Sequence, residues 1–237
     1  IIDDKIWLSV GPVAKPLLQK YLPHIKGVVG STETINPVLH KKVCPSKPLA
    51  PYERMFEAAK ELNLQRAMTF IVGMGETRDD LALLKEFIIK YEITKIHVYG
   101  LIPQQGTVFE NTKPPTKEEQ AWWIAQLRVA FPKLDIQCGI WEDRLEYISY
   151  LLRAGSNSIS KFKATKLFGT PIAKAVEDEA TKAGREFQGS LTIVPDVDWN
   201  EKVDRLALDQ ELTEQIKEKL GQYLKTMEKN CSATVQA

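Results

Sequence analysis

Short apolar runs with the character of strands alternate with amphipathic runs with the character of helices from Lys5 to about Lys163. The strand candidates are residues 5–12, 25–33, 66–75, 95–103, 134–141 and 156–162. They are largely apolar, with few strict alternations, the pattern of parallel strands covered on both faces. Strand–helix alternation at this spacing predicts an α/β protein built on a parallel sheet. Two arrangements compete, a (βα) barrel and an open doubly wound sheet. Six strands fit the open sheet as counted and fall two short of an eight-stranded barrel.

The helices carry their own signals. "APYERMFEAAKEL" from Ala50 has apolar residues at helical spacing, with Pro51 suited to a first turn. "TRDDLALLKEFIIKY" predicts a helix with Thr77 as N-cap, and "TKEEQAWWIAQLRVAF" one capped by Thr116 three residues before Glu119. Beyond Ala164 the alternation stops. A helical stretch, a short extended piece "GSLTIVPDVDW" and a long amphipathic helix from Glu201 follow. The division expected is residues 1–165, strands with their helices, and residues 166–237, a helical extension. The extension packs on its own domain, caps a barrel end or mediates association. The last residues, "CSATVQA", are expected to fray.

Composition narrows the function. The 237 residues are 43% hydrophobic and 27% charged, with a formal net charge of +1 from 32 basic and 31 acidic side chains. No surplus of positive charge points to nucleic acid or to an anionic membrane surface. No apolar run approaches the roughly 20 residues of a membrane helix. Cys44, Cys138 and Cys231 are scattered, forming neither a disulfide framework nor a close metal-ligand pair, which predicts a reducing, cytoplasmic setting. The opening "IIDDKIWLSVGP", without methionine, suggests a processed or truncated chain.

The polar residues collect at strand ends. "TFIVGMGET", residues 69–77, runs from a strand into Gly73 and Gly75. Glycine there serves a turn that needs backbone angles other residues avoid, or clears space for a ligand against the backbone. The second strand ends in Ser31, Thr32, Glu33 and Thr34, and the fourth in "LIPQQGTVFE". One face of polar, glycine-rich strand ends is where barrels and open α/β sheets place their sites.

"ETINPVLHKKVCP", "FIVGMGET", "LIPQQGTVFEN" and "LRAGSNSI", in this order, resemble the biotin-synthase-like branch of the radical S-adenosylmethionine enzymes, which includes the hydrogenase-maturation and methylornithine-synthase enzymes. The resemblance covers about Lys5 to Lys163. It implies a parallel (βα) barrel, here an incomplete TIM-like barrel of about six strands, the family's third to eighth. It also implies S-adenosylmethionine and a [4Fe-4S] cluster as cofactors, a small-molecule substrate, and an electron donor such as flavodoxin or ferredoxin. The family holds its cluster with a Cys-x3-Cys-x2-Cys loop after the first strand. No such triplet occurs here, so the ligating cysteines are expected outside this chain and no metal ligand is assigned within it.

By resemblance, Ile71 packs on the cofactor's adenine while Gly73 and Gly75 let the backbone approach it. Replacing Gly73 with valine would then impair cofactor binding more than folding. Glu33, with Ser31 beside it on the same strand face, lies near the cofactor's ribose or amino group. Ile102 and Pro103 close over adenine. Lys47 and Arg54 are weaker candidates for the cofactor carboxylate, more simply read as solvated surface. Glu76 is read equally as turn chemistry or as a ligand contact. Trp7, His97, Tyr99, Gln137, Trp141, Asn157 and Lys161 are candidates to line the barrel. Ala67 and Trp7 stand where biotin synthase has cysteines for a second cluster, which argues against sulfur insertion.

The leading reading is therefore the substrate- and cofactor-binding part of an enzyme that, when intact, cleaves S-adenosylmethionine reductively to a 5'-deoxyadenosyl radical acting on a small molecule. The chain alone is expected to be inactive. A cluster-free barrel with a Schiff-base lysine, Lys161 or Lys163, and a non-catalytic scaffold are the alternatives.

Overall fold

The computed structural model describes residues 5–139, 142–206 and 208–235. Among the described residues there are six strands: β1 Ile6–Leu8, β2 Ile25–Gly30, β3 Gln65–Val72, β4 Lys95–Gly100, β5 Asp135–Gly139 and β6 Ser158–Ser160. All neighbouring pairs are parallel, and the sheet order follows the sequence, β1-β2-β3-β4-β5-β6. A doubly wound sheet reverses its order at a switch point. This sheet never reverses, and with right-handed crossovers such an order curls one way, as a half-barrel.

Each strand is shorter than its apolar run, chiefly at the C-terminal end. The residues lost there, such as 31–33 and 73–75, are the polar and glycine-rich ones, and they form loops. Between the strands lie α1 Lys15–Tyr21, α2 Pro37–Val43, α3 Ala50–Glu61, α4 Asp80–Lys90 and α5 Lys117–Ala130. The α5 start has the expected capping box, with Thr116 accepting from the Glu119 amide and Glu119 accepting from that of Thr116. The α4 start differs: Thr77 does not cap it. The Asp80 carboxylate instead accepts the Thr77 amide at 2.9 Å and the Asn36 amide at 2.7 Å, and α4 begins three residues later. A carboxylate within the first turn is favoured by the helix dipole as well.

One sheet face packs under α3 and α5, burying Met68, Phe70, Val72, Ile96, Val98, Ile136 and Cys138. Phe70 packs at a tilt against Trp123 of α5, centroids 4.8 Å apart. Phe56 of α3 meets Phe87 and Tyr91. Each such ring contributes roughly 1.5–3 kcal/mol by burial. The other, inner face of the half-barrel carries Trp7, Thr69, Ile71, His97, Tyr99, Gln137, Ser158 and Ser160, as the register pairs them.

The described residues divide into two compact units, one within 5–139 and 150–160, the other within 142–149, 161–206 and 208–235. The second unit is helical: α7 Ala164–Leu167, α8 Pro171–Lys182, α9 Trp199–Asp204 and α10 Gln210–Val235, while α6, Tyr147–Arg153, contributes to both units. The extended piece predicted near Leu191 forms no strand. Its turns are instead tied to α8, where the Glu177 carboxylate accepts from Ser190, Leu191 and Thr192. The long helix expected from Glu201 is instead two, α9 ending at Asp204 and α10 beginning at Gln210. Near the end of α10, Cys231 donates to the Thr192 carbonyl at 3.1 Å and Asn230 to that of Phe168 at 2.9 Å.

Candidate functional site

The segment leaving β2 turns back against the end of β3. Thr32 donates to the Thr69 carbonyl at 2.7 Å, and the Ile71 amide donates to the Glu33 carbonyl at 2.8 Å. Glu33 sits at φ +60°, in the left-handed region a side chain rarely adopts, so the surrounding bonds hold a strained residue. Its carboxylate accepts from Lys47 Nζ at 2.7 Å and from the Thr69 hydroxyl at 3.0 Å, and is mostly buried. Neighbouring Ser31 is half-buried.

Gly73 and Gly75 end β3 with φ of +99° and +111°. A Cβ on Gly73 would stand 3.0 Å from Pro115 Cδ and 3.3 Å from Leu101 Cβ, and one on Gly75 would lie 3.4 Å from Leu39 Cδ1. The turn's own angles and neighbours thus require glycine at 73. Valine there carries a folding cost of its own, whatever it does to a ligand. Glu76 closes the turn, accepting from the amides of Gly73 at 2.6 Å and Met74 at 2.9 Å. Burial pushes its carboxyl up, against these amide hydrogen bonds, which hold it down. Beside β3 the Leu101 amide donates to the Val72 carbonyl at 2.8 Å, bringing half-buried Ile102 and Pro103 to the same sheet edge.

The structure therefore brings Ser31, Glu33, Ile71, Gly73, Gly75, Ile102 and Pro103 to the C-terminal ends of three adjacent strands. Lys47, read as surface, joins them through Glu33. Arg54 does not: it lies exposed on α3. Thr69 was not singled out, though it is two residues before Ile71 and so on the same strand face.

Further along the inner face, Tyr99 hydrogen-bonds His97 Nδ1 at 3.0 Å and also Ser160. Burial raises its phenol above the usual value, and the Glu33 carboxylate adds to the rise. Gln137 Nε2 donates to the Ile159 carbonyl at 3.2 Å. Asn157 is no lining residue, because its side chain accepts from the Ile136 amide at 2.9 Å and from Arg128. Trp141 lies outside the described residues, and Lys161 belongs to the second unit. Lys163 is exposed and paired with Glu142 at 2.8 Å.

Among the described residues no group of three His, Cys, Asp or Glu could hold a metal ion. Cys138 is fully buried, its thiol pushed up to about 12 by burial, the opposite of a thiolate ligand. The described residues do not fit a [4Fe-4S] cluster.

No protein-family model matches the chain. It is 39% identical over 168 residues to an uncharacterised protein of Methanocaldococcus jannaschii, covering 71% of this chain and 47% of that protein. It is 23% identical over 159 residues to the biotin synthase of Thermotoga petrophila, covering 67% of this chain and 49% of that enzyme. Methylornithine synthase shares the fold, with a TM-score of 0.59 at 18% identity over 86% of this chain and 57% of that one. The chain is related to the biotin-synthase-like radical S-adenosylmethionine enzymes. It spans about half the length of the curated relatives it matches. No helix among the described residues is long and apolar enough to cross a membrane.

Proposed function

We propose that this chain is the S-adenosylmethionine- and substrate-binding part of a radical enzyme acting on a small molecule, with the cluster ligands and an electron donor of flavodoxin or ferredoxin type supplied from outside it. The observation that carries this is the Lys47–Glu33–Thr69 group at the end of β2. A strained, mostly buried carboxylate beside one ammonium complements an amino-acid zwitterion: Glu33 faces the cofactor's ammonium and Lys47 its carboxylate. Ile71, Ile102 and Pro103 offer apolar surface to the adenine at the neighbouring strand ends. With its cluster, S-adenosylmethionine supplies a 5'-deoxyadenosyl radical that takes a hydrogen atom from substrate. The residues of this chain bind, orient and exclude water. Residues 1–165 would act in binding and 166–237 as a helical extension.

The test is calorimetric titration of the full chain with S-adenosylhomocysteine, which keeps the amino-acid and adenosine parts. Saturable binding that Glu33→Gln weakens about tenfold or more supports the reading, since a hydrogen bond to a charged group is worth about 1.5–3 kcal/mol. Absent binding, or binding indifferent to Glu33, overturns it.

A further inference from the structure

Tyr52 stands in the first turn of α3, just after the loop that carries Lys47 to Glu33. That loop is tied at both ends. The Lys47 amide donates to the Cys44 carbonyl at 3.0 Å, and the Tyr52 amide to that of Leu49 at 2.8 Å. The residue is 3% exposed, and Met55 and Phe56 of the same helix are buried as well. The Tyr52 ring thus belongs to the core. Its hydroxyl does not share that setting, for it makes no hydrogen bond to any described residue. The charged and titratable groups that act on it are Lys47, Glu33 and the Cys44 thiol, all at the Glu33 site.

A buried tyrosine hydroxyl normally finds a partner, and one without a partner costs stability that phenylalanine would avoid. The core requires only the ring. The oxygen is therefore accounted for by something that the fold itself does not supply, and its neighbours say what that is. Glu33 and Lys47 place one negative and one positive charge side by side at 2.7 Å, the complement of an amino-acid zwitterion. A ligand ammonium on Glu33 leaves its carboxylate toward Lys47. A carboxylate accepts at about four positions, more than one ammonium fills. A protonated phenol can donate to it. Burial raises the Tyr52 phenol above its usual value, with Lys47 opposing and Glu33 and Cys44 adding, so the group stays a donor at neutral pH.

We propose that Tyr52 is a further ligand-contacting residue, whose hydroxyl donates to the carboxylate of a bound amino-acid group beside Lys47 and so selects ligands that carry this group. This rests on the reading of the Glu33 site as the seat of the cofactor's amino-acid part. It adds a specificity-determining residue whose hydroxyl serves binding and not folding.

Tyr52→Phe removes the oxygen alone. Without ligand, its thermal unfolding should match that of the wild type or lie above it, since no bond within the fold is lost. By calorimetry on the full chain, S-adenosylhomocysteine should bind it about tenfold more weakly, the scale of one hydrogen bond to a charged group, and 5'-deoxyadenosine as before. Carbon-13 at the tyrosine ring carbon that bears the hydroxyl gives a direct signal, assigned to Tyr52 by its loss in Tyr52→Phe. S-adenosylhomocysteine should move that signal saturably, and 5'-deoxyadenosine should leave it in place. A Tyr52→Phe protein less stable than the wild type without ligand, or one that loses both ligands equally, overturns the assignment. If S-adenosylhomocysteine binds the wild type and Tyr52→Phe alike, only the role of Tyr52 falls. If it does not bind the wild type, the underlying reading falls and this inference with it.

Discussion

The carboxylate of Glu76 accepts the backbone N–H of Gly73, three residues earlier, at 2.6 Å, and that of Met74 at 2.9 Å. One side chain thus satisfies the amides that a strand-to-helix turn leaves without a ladder. Glu76→Ala would strip both, at an expected cost of about 1–3 kcal/mol, with Glu76→Gln losing less because one acceptor remains. Urea unfolding of the three proteins measures it. A loss for alanine within about 0.5 kcal/mol, the usual span of surface substitutions, would show that water serves these amides equally well.

The glycines of the same turn should rank by what surrounds them. Alanine at 73 meets a left-handed backbone, worth about 1–2 kcal/mol, and Pro115 at 3.0 Å. Alanine at 75 meets the backbone term alone, since 3.4 Å to Leu39 is an ordinary contact. Thermal unfolding should place Gly73→Val below Gly73→Ala, and Gly73→Ala below Gly75→Ala. If Gly75→Ala proves the more damaging of the two alanines, the packing at Pro115 does not govern the turn.

Strand positions and the parallel class were legible because the strands run through a covered sheet and are apolar in consequence. Their ends were not, since the polar residues 31–33 continue the extended chain without joining the ladder. The Thr116 cap was readable from its partner three residues on. The role of Asp80 was hidden, because its bond to Asn36 joins residues distant in sequence. Distance in sequence hid the site's pairings in the same way. Glu33 and Ile71 could be named from motifs, whereas Lys47 looked like surface until the loop after α2 brought it to Glu33. Nothing local marks Gly139 as the space for Tyr99, which depends on strand register.

The Lys47–Glu33 pair has a consequence for ligand discrimination. S-adenosylhomocysteine carries the amino-acid group that this pair would face, and 5'-deoxyadenosine lacks it. Lys47→Met should therefore weaken S-adenosylhomocysteine by about tenfold, the scale of one charged hydrogen bond, and leave 5'-deoxyadenosine unchanged. Calorimetry with both ligands reads the contrast. Equal losses for the two would mean that Lys47 acts by holding the loop rather than by meeting the carboxylate.

Tyr99 and Gly139 make the final case, through pH. Burial raises the phenol above its usual value of about 10, so the folded protein holds this proton more tightly than the unfolded chain does. The stabilisation is complete below the unfolded value and is lost as pH rises through the folded one. Tyr52 and Tyr91 are raised as well, so difference spectra are needed. Near-ultraviolet titration of the wild type minus Tyr99→Phe should isolate one phenol ionising above the ordinary range. In Gly139→Ala the added methyl takes the ring's place, 2.0 Å from Cδ1, and must drive the ring off β5. The hydroxyl then gains water, and relief of its burial, the largest cause of the rise, outweighs loss of the Ser160 hydrogen bond that holds it down, so the isolated titration should fall back toward the usual value. A folded Gly139→Ala protein whose Tyr99 titrates as in the wild type would show that the ring's seat over β5 does not set its environment.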